Sequence, residues 1–447
     1  MSFAEVGRSG LLDNDYHTVP PNTALSDLVS VTSSWAFPRI LTDRLAACQV
    51  TCNTGYFSEI GRAWLAVDGW LALWKPNDTS GTSLLSLDRV QQWGRSILSV
   101  GIVSPKPGVF RDGLLSHIIC VGTTDDVHIL GVVSQRSSDD GEEEHQLTDV
   151  LMSCSTDGVA MQDLVCCSKN GRIFSAGVDG HIYEIEYNAV DTWWTPKLRI
   201  VNLTSSWFPI SSVSTAFGFS RVDPLKQVLL DSERRVLYSR SENNAISAYS
   251  LGENMDAFYH LGTVHIGEAK KAADRIFGEA VATTSHFQSI VDMSIIPPAD
   301  SSSLNLVAVT DSGCRIFFSS PTRVSPDFYI RHLRLPPGYT PSVTERPSSV
   351  YSMGCISGFD IMFTVVQTRA TPASPGLLSR AASVDQTVAW VYASGAKSTI
   401  LNPPVSSVGE NAVTGEFVSP TSMFLGRVLH VSLLNKMDSP EQTQPSW

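Results

Sequence analysis

The chain has 447 residues, of which 43% are hydrophobic, 17% charged and 9% aromatic, and this composition excludes disorder, collagen and coiled coil as overall descriptions. Its mean hydropathy of +0.03 is that of an ordinary soluble globular protein. Lys and Arg together number 32 against 44 Asp and Glu, which gives a net charge of −12. This is the wrong sign for a protein that neutralises phosphates over a broad face, so direct nucleic-acid binding is not expected.

The amino-terminal part of the chain is polar. Residues 1–10 have no apolar signal core, and no stretch of the chain approaches the roughly 20 apolar residues that cross a bilayer. The sequence therefore predicts a protein that is neither secreted nor transmembrane. Residues 1–41, with one small apolar patch at Leu25–Val29, are predicted to form a non-propeller extension packed on the outside of the fold.

Short apolar or alternating segments, joined in pairs by tight polar turns, recur along the chain. Alternation with period two predicts strands, and Asp-Gly or Asn-Gly between two such runs predicts a hairpin. The predicted strands are Trp64–Val67 with Trp70–Trp74, Ile118–Val121 with Val127–Leu130, Leu164–Cys167 with Arg172–Ser175 and His181–Ile185, Val228–Leu230 with Val236–Tyr238 and Ala245–Tyr249, Leu306–Val309 with Arg315–Phe318, and Met353–Ile356 with Asp360–Phe363.

The spacing of these hairpins, about 45 to 70 residues, predicts an all-β fold and favours a β-propeller of four-stranded blades. About seven blades with long inter-strand loops fit residues 42–435, and residues 436–447 form a polar tail. Two or three tandem β-sandwiches are the alternative. Sandwiches would need linkers between self-contained units, whereas the Pro- and Ser-rich stretches come late, at Thr371–Ala382 and Asn402–Thr421.

Two further segments do not follow the recurring hairpin pattern. Ser137–His145 carries five acidic residues, a block that is typical of a solvated loop. Ala269–Ala282 is rich in Ala, Lys and Glu, which predicts a short helix on a loop.

The most informative segment is Asn202–Arg221. Its bulky apolar residues follow one face of a helix, Ser and Thr lie between them, and no charged side chain separates them. A chargeless amphipathic segment of this kind is typical of one that inserts into loosely packed, curved bilayers. The predicted membrane-binding residues are Leu203, Trp207, Phe208, Ile210, Val213 and Phe217.

The same segment also fits a purely structural role. Phe217 and Phe219 alternate around Gly218 and are compatible with the start of the next strand. Pro209 lacks the N–H group that a helix interior requires, so any helix would start near it. On this alternative the segment is a Ser-rich loop that leads into a strand.

No catalytic motif is visible in the sequence. The nucleophile elbow, the zinc-protease helix, the P-loop and the dinucleotide-binding glycine pattern are all missing, and no cysteine or histidine pairs follow zinc-site spacing. We therefore expect no enzyme activity, no cofactor and no metal. A hydrolase with its site on a propeller axis stays open as an alternative, because such a site leaves no linear motif.

Five sequence segments resemble those of a known family: Gly61–Asp68, Ser99–Phe110, Asn170–Ile185, Leu237–Glu242 and Leu333–Tyr339. With these segments in this order, the sequence resembles the N-terminal domain of an inner-ring scaffold nucleoporin, the family of the vertebrate 155-kilodalton nucleoporin. The resemblance covers the chain from about Leu25 to Val391. Members of the family continue into an α-helical solenoid, so a chain that ends at Trp447 is expected to be a fragment, the product of a truncated gene model, or a short form.

The resemblance implies a seven-bladed propeller in a structural, non-catalytic protein of the nuclear pore complex, in the nucleus at the nuclear envelope. It implies that a propeller loop, here Leu203–Phe217, makes peripheral contact with the curved pore membrane. It also implies partners among the inner-ring nucleoporins, including the small membrane-associated nucleoporin and linker nucleoporins, and a role in nucleocytoplasmic transport, mRNA transport included. A soluble propeller that binds peptides on its axial face or blade edges, and never touches lipid, is the alternative.

Overall fold

The structure is a computed structural model that describes residues 37–334, with gaps, and five further strands outside that range at 16–18, 347–353, 361–368, 386–393 and 398–400. The gaps are residues 58, 76–77, 79, 87–94, 112, 137–142, 190–195, 206–222, 278–286, 297, 299–303, 311–314 and 321–327. The chain divides into two units. The first unit is Trp35–Asn243 with Tyr249–His260, and the second unit is Met1–Ser34, Asn244–Ala248 and Leu261–Trp447.

Antiparallel four-stranded sheets follow one another along the chain, and each takes its strands in chain order. Sheet one contains β2 (Cys52–Phe57), β3 (Arg62–Val67), β4 (Trp70–Trp74) and β5 (Leu85–Ser86). Sheet two contains β6 (Ile97–Val103), β7 (His117–Thr123), β8 (Asp126–Arg136) and β9 (Glu143–Ser155). Sheet three contains β10 (Met161–Cys166), β11 (Ile173–Gly177), β12 (Ile182–Tyr187) and β13 (Leu198–Asn202). Sheet four contains β14 (Leu225–Asp231), β15 (Val236–Ser241), β16 (Ala245–Ser250) and β17 (Tyr259–His265).

Two more sheets follow in the second unit. Sheet five contains β18 (Ile290–Ile295), β19 (Leu306–Thr310), β20 (Arg315–Ser319) and β21 (Tyr329–Arg334). Sheet six contains β22 (Pro347–Met353), β23 (Ile361–Thr368), β24 (Gln386–Ala393) and β25 (Ser398–Ile400). A short strand of the amino-terminal segment, β1 (Tyr16–Thr18), pairs in parallel with β25 and makes sheet six five-stranded. Two helices lie among the described residues, α1 (Arg39–Ala46) and α2 (Ile266–Phe277).

The core of the first unit lies between successive sheets. Leu71 and Leu73 of sheet one pack with Ile119 and Leu130 of sheet two, and similar clusters join sheets two and three and sheets three and four. A sheet that is covered on both faces buries every residue of its middle strands, and all six residues of β3 and all five of β4 are buried. Apolar burial of this extent is the main stabilising contribution to the unit.

Polar side chains near the starts of the first strands bind the backbone of the next sheet. Asn53 in β2 donates through Nδ2 to the carbonyl oxygen of Leu98 over 2.9 Å. Ser99 in β6 donates through Oγ to the carbonyl oxygen of Met161 over 2.7 Å. Asp163 in β10 accepts a hydrogen bond on Oδ2 from the backbone N–H of Val228 over 2.9 Å. These bonds fix the height of each sheet against the next, because each needs a particular backbone group opposite the side chain.

An irregularity recurs at the start of the first strand in five of the described sheets. The register of pairing with the second strand shifts there by one residue, which is the mark of a β-bulge. The shifts lie at Ile97/Ser99, Met161/Asp163, Leu225/Gln227, Ile290/Asp292 and Pro347/Ser349. In each case the residue after the shift is polar. The sheets are therefore structural repeats, although their sequences share no obvious motif.

The bonds between sheets also establish the direction of the strands. The first strands of sheets one to four lie side by side with their starts together, because Asn53, Ser99 and Asp163 each bind near the start of the neighbouring first strand. In an antiparallel four-stranded sheet, the turn between the second and third strands and the connection to the next sheet lie at that same end. We call this the start end of the first unit, and the other the far end.

The structure confirms an all-β fold and most of the predicted hairpins, and it corrects two boundaries. The hairpin predicted at Met353–Ile356 and Asp360–Phe363 is instead formed by β22, which ends at Met353, and β23, which begins at Ile361. The predicted acidic loop is too long, because Glu143, Glu144 and His145 begin β9. Glu143 there lies opposite Arg136 of β8, and opposite charges in facing positions favour strand pairing.

Helix α2 confirms the helix predicted at Ala269–Ala282, but it begins earlier, at Ile266, and is described as far as Phe277. Residues 278–282 of the prediction lie outside the described residues. Its buried side chains are Ala269, Ala272 and Ala273, whose spacing matches one face of a helix. Helix α1 was not predicted from the sequence. It crosses the predicted boundary between residues 1–41 and 42–435, and the division into extension, propeller and tail 436–447 stays a prediction.

The bond between Asp163 and Val228 provides a test of the ties between sheets. Asp163→Ala removes the acceptor of a backbone N–H that lies at a buried position, so we expect the free energy of unfolding to fall by about 1–3 kcal/mol. The neighbouring substitution Gln162→Ala is the control and is expected to cost less than about 0.5 kcal/mol. Chemical denaturation of both variants measures the difference. Equal losses for the two variants would contradict the role given to Asp163.

Candidate functional site

The structure describes one of the six predicted membrane-binding residues. Leu203 is half-buried and packs against the cluster between sheets three and four, and its backbone N–H donates to the carbonyl oxygen of Ile182 over 2.8 Å. It thus continues the pairing of β12 and β13 one residue beyond the end of β13. Trp207, Phe208, Ile210, Val213 and Phe217 lie outside the described residues. The membrane-binding role of all six residues stays a prediction.

The connection that contains these residues leaves sheet three through a network of side-chain hydrogen bonds. Asn202 Oδ1 accepts from the backbone N–H groups of Thr204 and Ser205 over 3.0 and 2.8 Å. Thr204 Oγ1 accepts from the backbone N–H of Ile182 over 3.0 Å and lies 2.9 Å from Nδ1 of His181. An Asn that bonds to the N–H groups two and three residues later turns the chain sharply. The exit of the connection from the sheet is therefore fixed in direction.

The connection returns to the same turn. The carbonyl oxygen of Asp223 lies so close to Gly180 that a Cβ atom there would stand 2.9 Å from it. Gly180 has φ of +84°, a conformation that glycine adopts without strain. Asp223 is also held by the backbone N–H of Asn243, which donates to its Oδ1 over 3.0 Å. The described ends of the connection, Asn202–Ser205 and Asp223, thus lie at one turn. We call Gly180, His181, Ile182, Asn202, Thr204 and Asp223 the loop base.

The turn under the loop base is itself held firmly. Asp179 accepts a hydrogen bond on Oδ2 from the hydroxyl group of Tyr183, and on Oδ1 from the backbone N–H of His181 over 3.2 Å. Burial, together with the hydrogen bond to Asp179, raises the pKa of Tyr183. The hydroxyl group therefore stays protonated at neutral pH and continues to donate to Asp179. The connection therefore starts at a hairpin turn that is held by a network of polar side chains.

The sequence indicates part of the loop base. Asp179–Gly180 stands between two predicted strands and predicts a hairpin turn. The sequence does not indicate that both ends of the connection meet at that turn. The available signal is Asn202, a strong turn-forming residue at the last position of β13, where the connection begins.

No three or more His, Cys, Asp or Glu side chains within the described ranges are grouped so as to hold a metal ion. None of the helices in the described part of the chain is long and apolar enough to span a bilayer.

Comparison with known proteins identifies the family. The model of nucleoporin N-terminal domains described as "Nup133 N terminal like" matches residues 24–439. Because this match covers most of the chain, the chain belongs to this nucleoporin family. The inner-ring scaffold resemblance drawn from the sequence is thereby confirmed, and membership places the chain in the nuclear pore complex at the nuclear envelope.

Two relatives illustrate the similarity. Nuclear pore complex protein Nup154 of Drosophila melanogaster is 29% identical over 399 residues, which are 80% of this chain and 28% of that protein. Nucleoporin NUP170 of Chaetomium thermophilum is 30% identical over 332 residues, which are 70% of this chain and 22% of that protein. The chain thus spans about a quarter of the length of these relatives.

A solved structure shares the fold. The crystal structure of the Chaetomium thermophilum Nup170 NTD–Nup53 complex superposes with a TM-score of 0.59 at 23% identity, and the match covers 79% of this chain and 52% of that chain. At this identity the likeness is evidence for the fold alone.

Substitution of Gly180 tests the close approach of Asp223. Gly180→Ala adds a Cβ atom at a position with a left-handed backbone conformation and places it close to the carbonyl oxygen of Asp223. Gly158 also has a left-handed conformation, with φ of +83°, but open space surrounds it. Gly158→Ala therefore measures the backbone strain alone. We expect Gly158→Ala to lower the free energy of unfolding by about 1 kcal/mol and Gly180→Ala to lower it by at least about 1 kcal/mol more. Thermal or chemical denaturation measures both. Equal losses would show that the connection does not return to this turn.

The hydroxyl group of Thr204 provides a second test. Thr204→Val keeps the shape of the side chain but removes the acceptor for the N–H of Ile182, and we expect a loss of about 1–2 kcal/mol in the free energy of unfolding. Thr204→Ser keeps the hydroxyl group and is expected to retain most of the stability. Amide hydrogen exchange at Ile182 checks the cause, since exchange should accelerate in Thr204→Val and not in Thr204→Ser.

Proposed function

We propose that this chain is a structural, non-enzymatic component of the nuclear pore complex whose sheets are blades of a seven-bladed β-propeller. Support for the propeller comes from the repeated four-stranded sheets, each taken in chain order, with a core between successive sheets in the first unit. Support for the non-enzymatic role comes from the family, whose matched relatives are nucleoporins. We also propose that the chain supports nucleocytoplasmic transport, mRNA transport included.

The second part of the proposal is peripheral contact with the curved pore membrane through the connection between sheets three and four. The observation that carries it is the loop base. Both ends of this long connection are held at one turn, and the part between them is the chargeless amphipathic segment of the sequence. In our proposal this segment reaches from the turn toward lipid. Trp207, Phe208, Ile210, Val213 and Phe217 would insert apolar side chains into packing defects, while half-buried Leu203 anchors the segment on the sheet.

The proposed partners are other inner-ring nucleoporins, among them linker nucleoporins and the small membrane-associated nucleoporin. Support comes from the solved relative, which is a complex with Nup53.

Flotation with vesicles of graded diameter tests the membrane contact. The double variant Trp207→Asp with Ile210→Asp places two charges in the apolar face, so we expect its binding to small vesicles to fall at least about tenfold. The matched control is Leu114→Asp with Leu151→Asp, which adds the same charge at apolar positions that are 54% and 78% exposed.

The expected result is that the wild-type chain and the control float with small vesicles and the double variant does not. If the wild-type chain fails to float at every diameter, the chain is a soluble interaction propeller and the membrane proposal is wrong. If the wild type and the double variant float equally, lipid contact is made by another surface.

A further inference from the structure

A cavity of about 490 Å³ lies at the start end of sheet one, apart from the loop base. Its walls are the end of helix α1, the loop from α1 to β2, the hairpin turn between β3 and β4, and the connection that enters sheet two. Its charged and bulky lining residues are Arg44, Val50, Asp68, Trp70 and Arg95. A volume between about 300 and 1,000 Å³ is typical of a ligand site. All of these residues belong to the described part of the first unit.

Arg44 provides a guanidinium group that is oriented but not neutralised. It lies in the last turn of α1, and its guanidinium carbon stands 5.2 Å from the centroid of the Trp70 ring. Trp70 is 5% exposed, so the ring beneath the guanidinium group is held in the core. Among the described residues, no carboxylate forms an ion pair with Arg44. A guanidinium group that lies on an aromatic ring keeps its N–H edge available to a planar acceptor.

Arg95, the other basic residue of the lining, already has acidic partners. Its Nη1 atom lies 3.1 Å from Asp125 and 2.7 Å from Asp126, so its charge is offset. The carbonyl oxygen of Arg95 lies so close to Gly69 that a Cβ atom there would stand 2.8 Å from it. The backbone of Arg95 is therefore held against the hairpin turn, and the uncompensated positive charge of the cavity is that of Arg44.

Asp68 is the acidic residue of the lining, and its carboxylate oxygens are occupied. The backbone N–H groups of Gln49, Val50 and Thr51 donate to them over 3.0, 2.7 and 3.0 Å. Desolvation acts to raise the pKa of Asp68, but these hydrogen bonds outweigh it and hold the pKa below its ordinary value. The same bonds fix the backbone of Val50, which is 72% exposed. A rigid apolar residue thus adjoins the cavity.

We propose that this cavity is a docking site for a short acidic peptide segment of a partner protein. A carboxylate of the segment pairs in fork geometry with Arg44, and a neighbouring aliphatic side chain covers Val50. Charge complementarity selects this occupant, because Arg44 has no acidic partner among the described residues, while the loop uses the hydrogen-bonding capacity of Asp68. An arginine on a buried tryptophan, beside an exposed apolar residue, has the composition of an interaction hot spot.

The inference goes beyond the partners proposed above, because it names a surface and the chemistry that the surface recognises. It does not depend on the proposed membrane contact, since none of the cavity residues belongs to the loop base or to the predicted membrane segment.

Selection from a library of random linear peptides displayed on phage tests the chemistry of the site. The wild-type chain is expected to enrich peptides in which Asp or Glu stands next to Leu, Ile or Val. Arg44→Gln nearly keeps the length of the side chain but removes its charge, so this variant is expected not to enrich them. Arg111→Gln is the matched control, because it removes an exposed arginine from the far end, and it should leave the enrichment unchanged.

Fluorescence polarisation with one enriched peptide measures what each side chain contributes. We expect the dissociation constant to rise at least about tenfold in Arg44→Gln, because a forked, charge-assisted pair is lost. Arg44→Lys keeps the charge but loses the fork and the planar stacking, and it should weaken binding several-fold. Val50→Ser should weaken binding about threefold, whereas Leu114→Ser, at another exposed apolar position, should not. Added salt should weaken binding of the wild-type chain.

Melting temperatures of the variants separate lost contacts from lost folding. If Arg44→Gln melts earlier than the wild type, the graded losses in Arg44→Lys and Val50→Ser decide the question.

Three results would overturn the inference. The first is a wild-type chain that enriches no acidic peptides, and the second is an enriched peptide that binds Arg44→Gln as tightly as the wild type. The third is self-association of the wild-type chain that Arg44→Gln abolishes, since the occupant would then be a second copy of the chain. None of these results changes the expected vesicle flotation, so the docking site and the membrane contact are tested separately.

Discussion

The structure of the first unit depends on one constraint, the fixed height of each sheet against the next. Apolar burial between sheets supplies most of the stability, but apolar contact is not directional and would permit sliding. The bonds from Asn53, Ser99 and Asp163 to the neighbouring backbone remove that freedom, because a slip of one residue would break them. A β-bulge precedes the polar residue in two of these three bonds, those of Ser99 and Asp163.

Alignment of the sheets also determines where the turns and connections lie. It gathers the middle hairpin turns and the connections between sheets at the start end, so one connection can leave and return beside the turn at Gly180. The proposed membrane contact depends on this alignment, because the connection that carries the predicted segment begins and ends at that turn.

Much of the fold was predictable because the middle strands of each sheet are short apolar runs bounded by Asp-Gly or Asn-Gly turns, as at Trp64–Trp74. The outer strands were missed. Strands such as β13 and β17 alternate weakly and carry partly exposed residues, so their pattern resembles that of a loop. The loop base could not be predicted, because Asn202 and Gly180 are brought together by sheet pairing and no sequence spacing reports that proximity. The Asp163–Val228 bond spans 65 positions for the same reason.

Hydrogen–deuterium exchange of the chain, free and bound to small neutral vesicles, tests the central claim most directly. Our account predicts that protection on binding is concentrated in residues 203–224, with smaller effects at the adjoining turn at Asp179–His181. The far-end turns near Lys106 and Lys169 are predicted to exchange at the same rate in both states. Protection that appears at the far end, or that leaves residues 203–224 unchanged, would contradict the account.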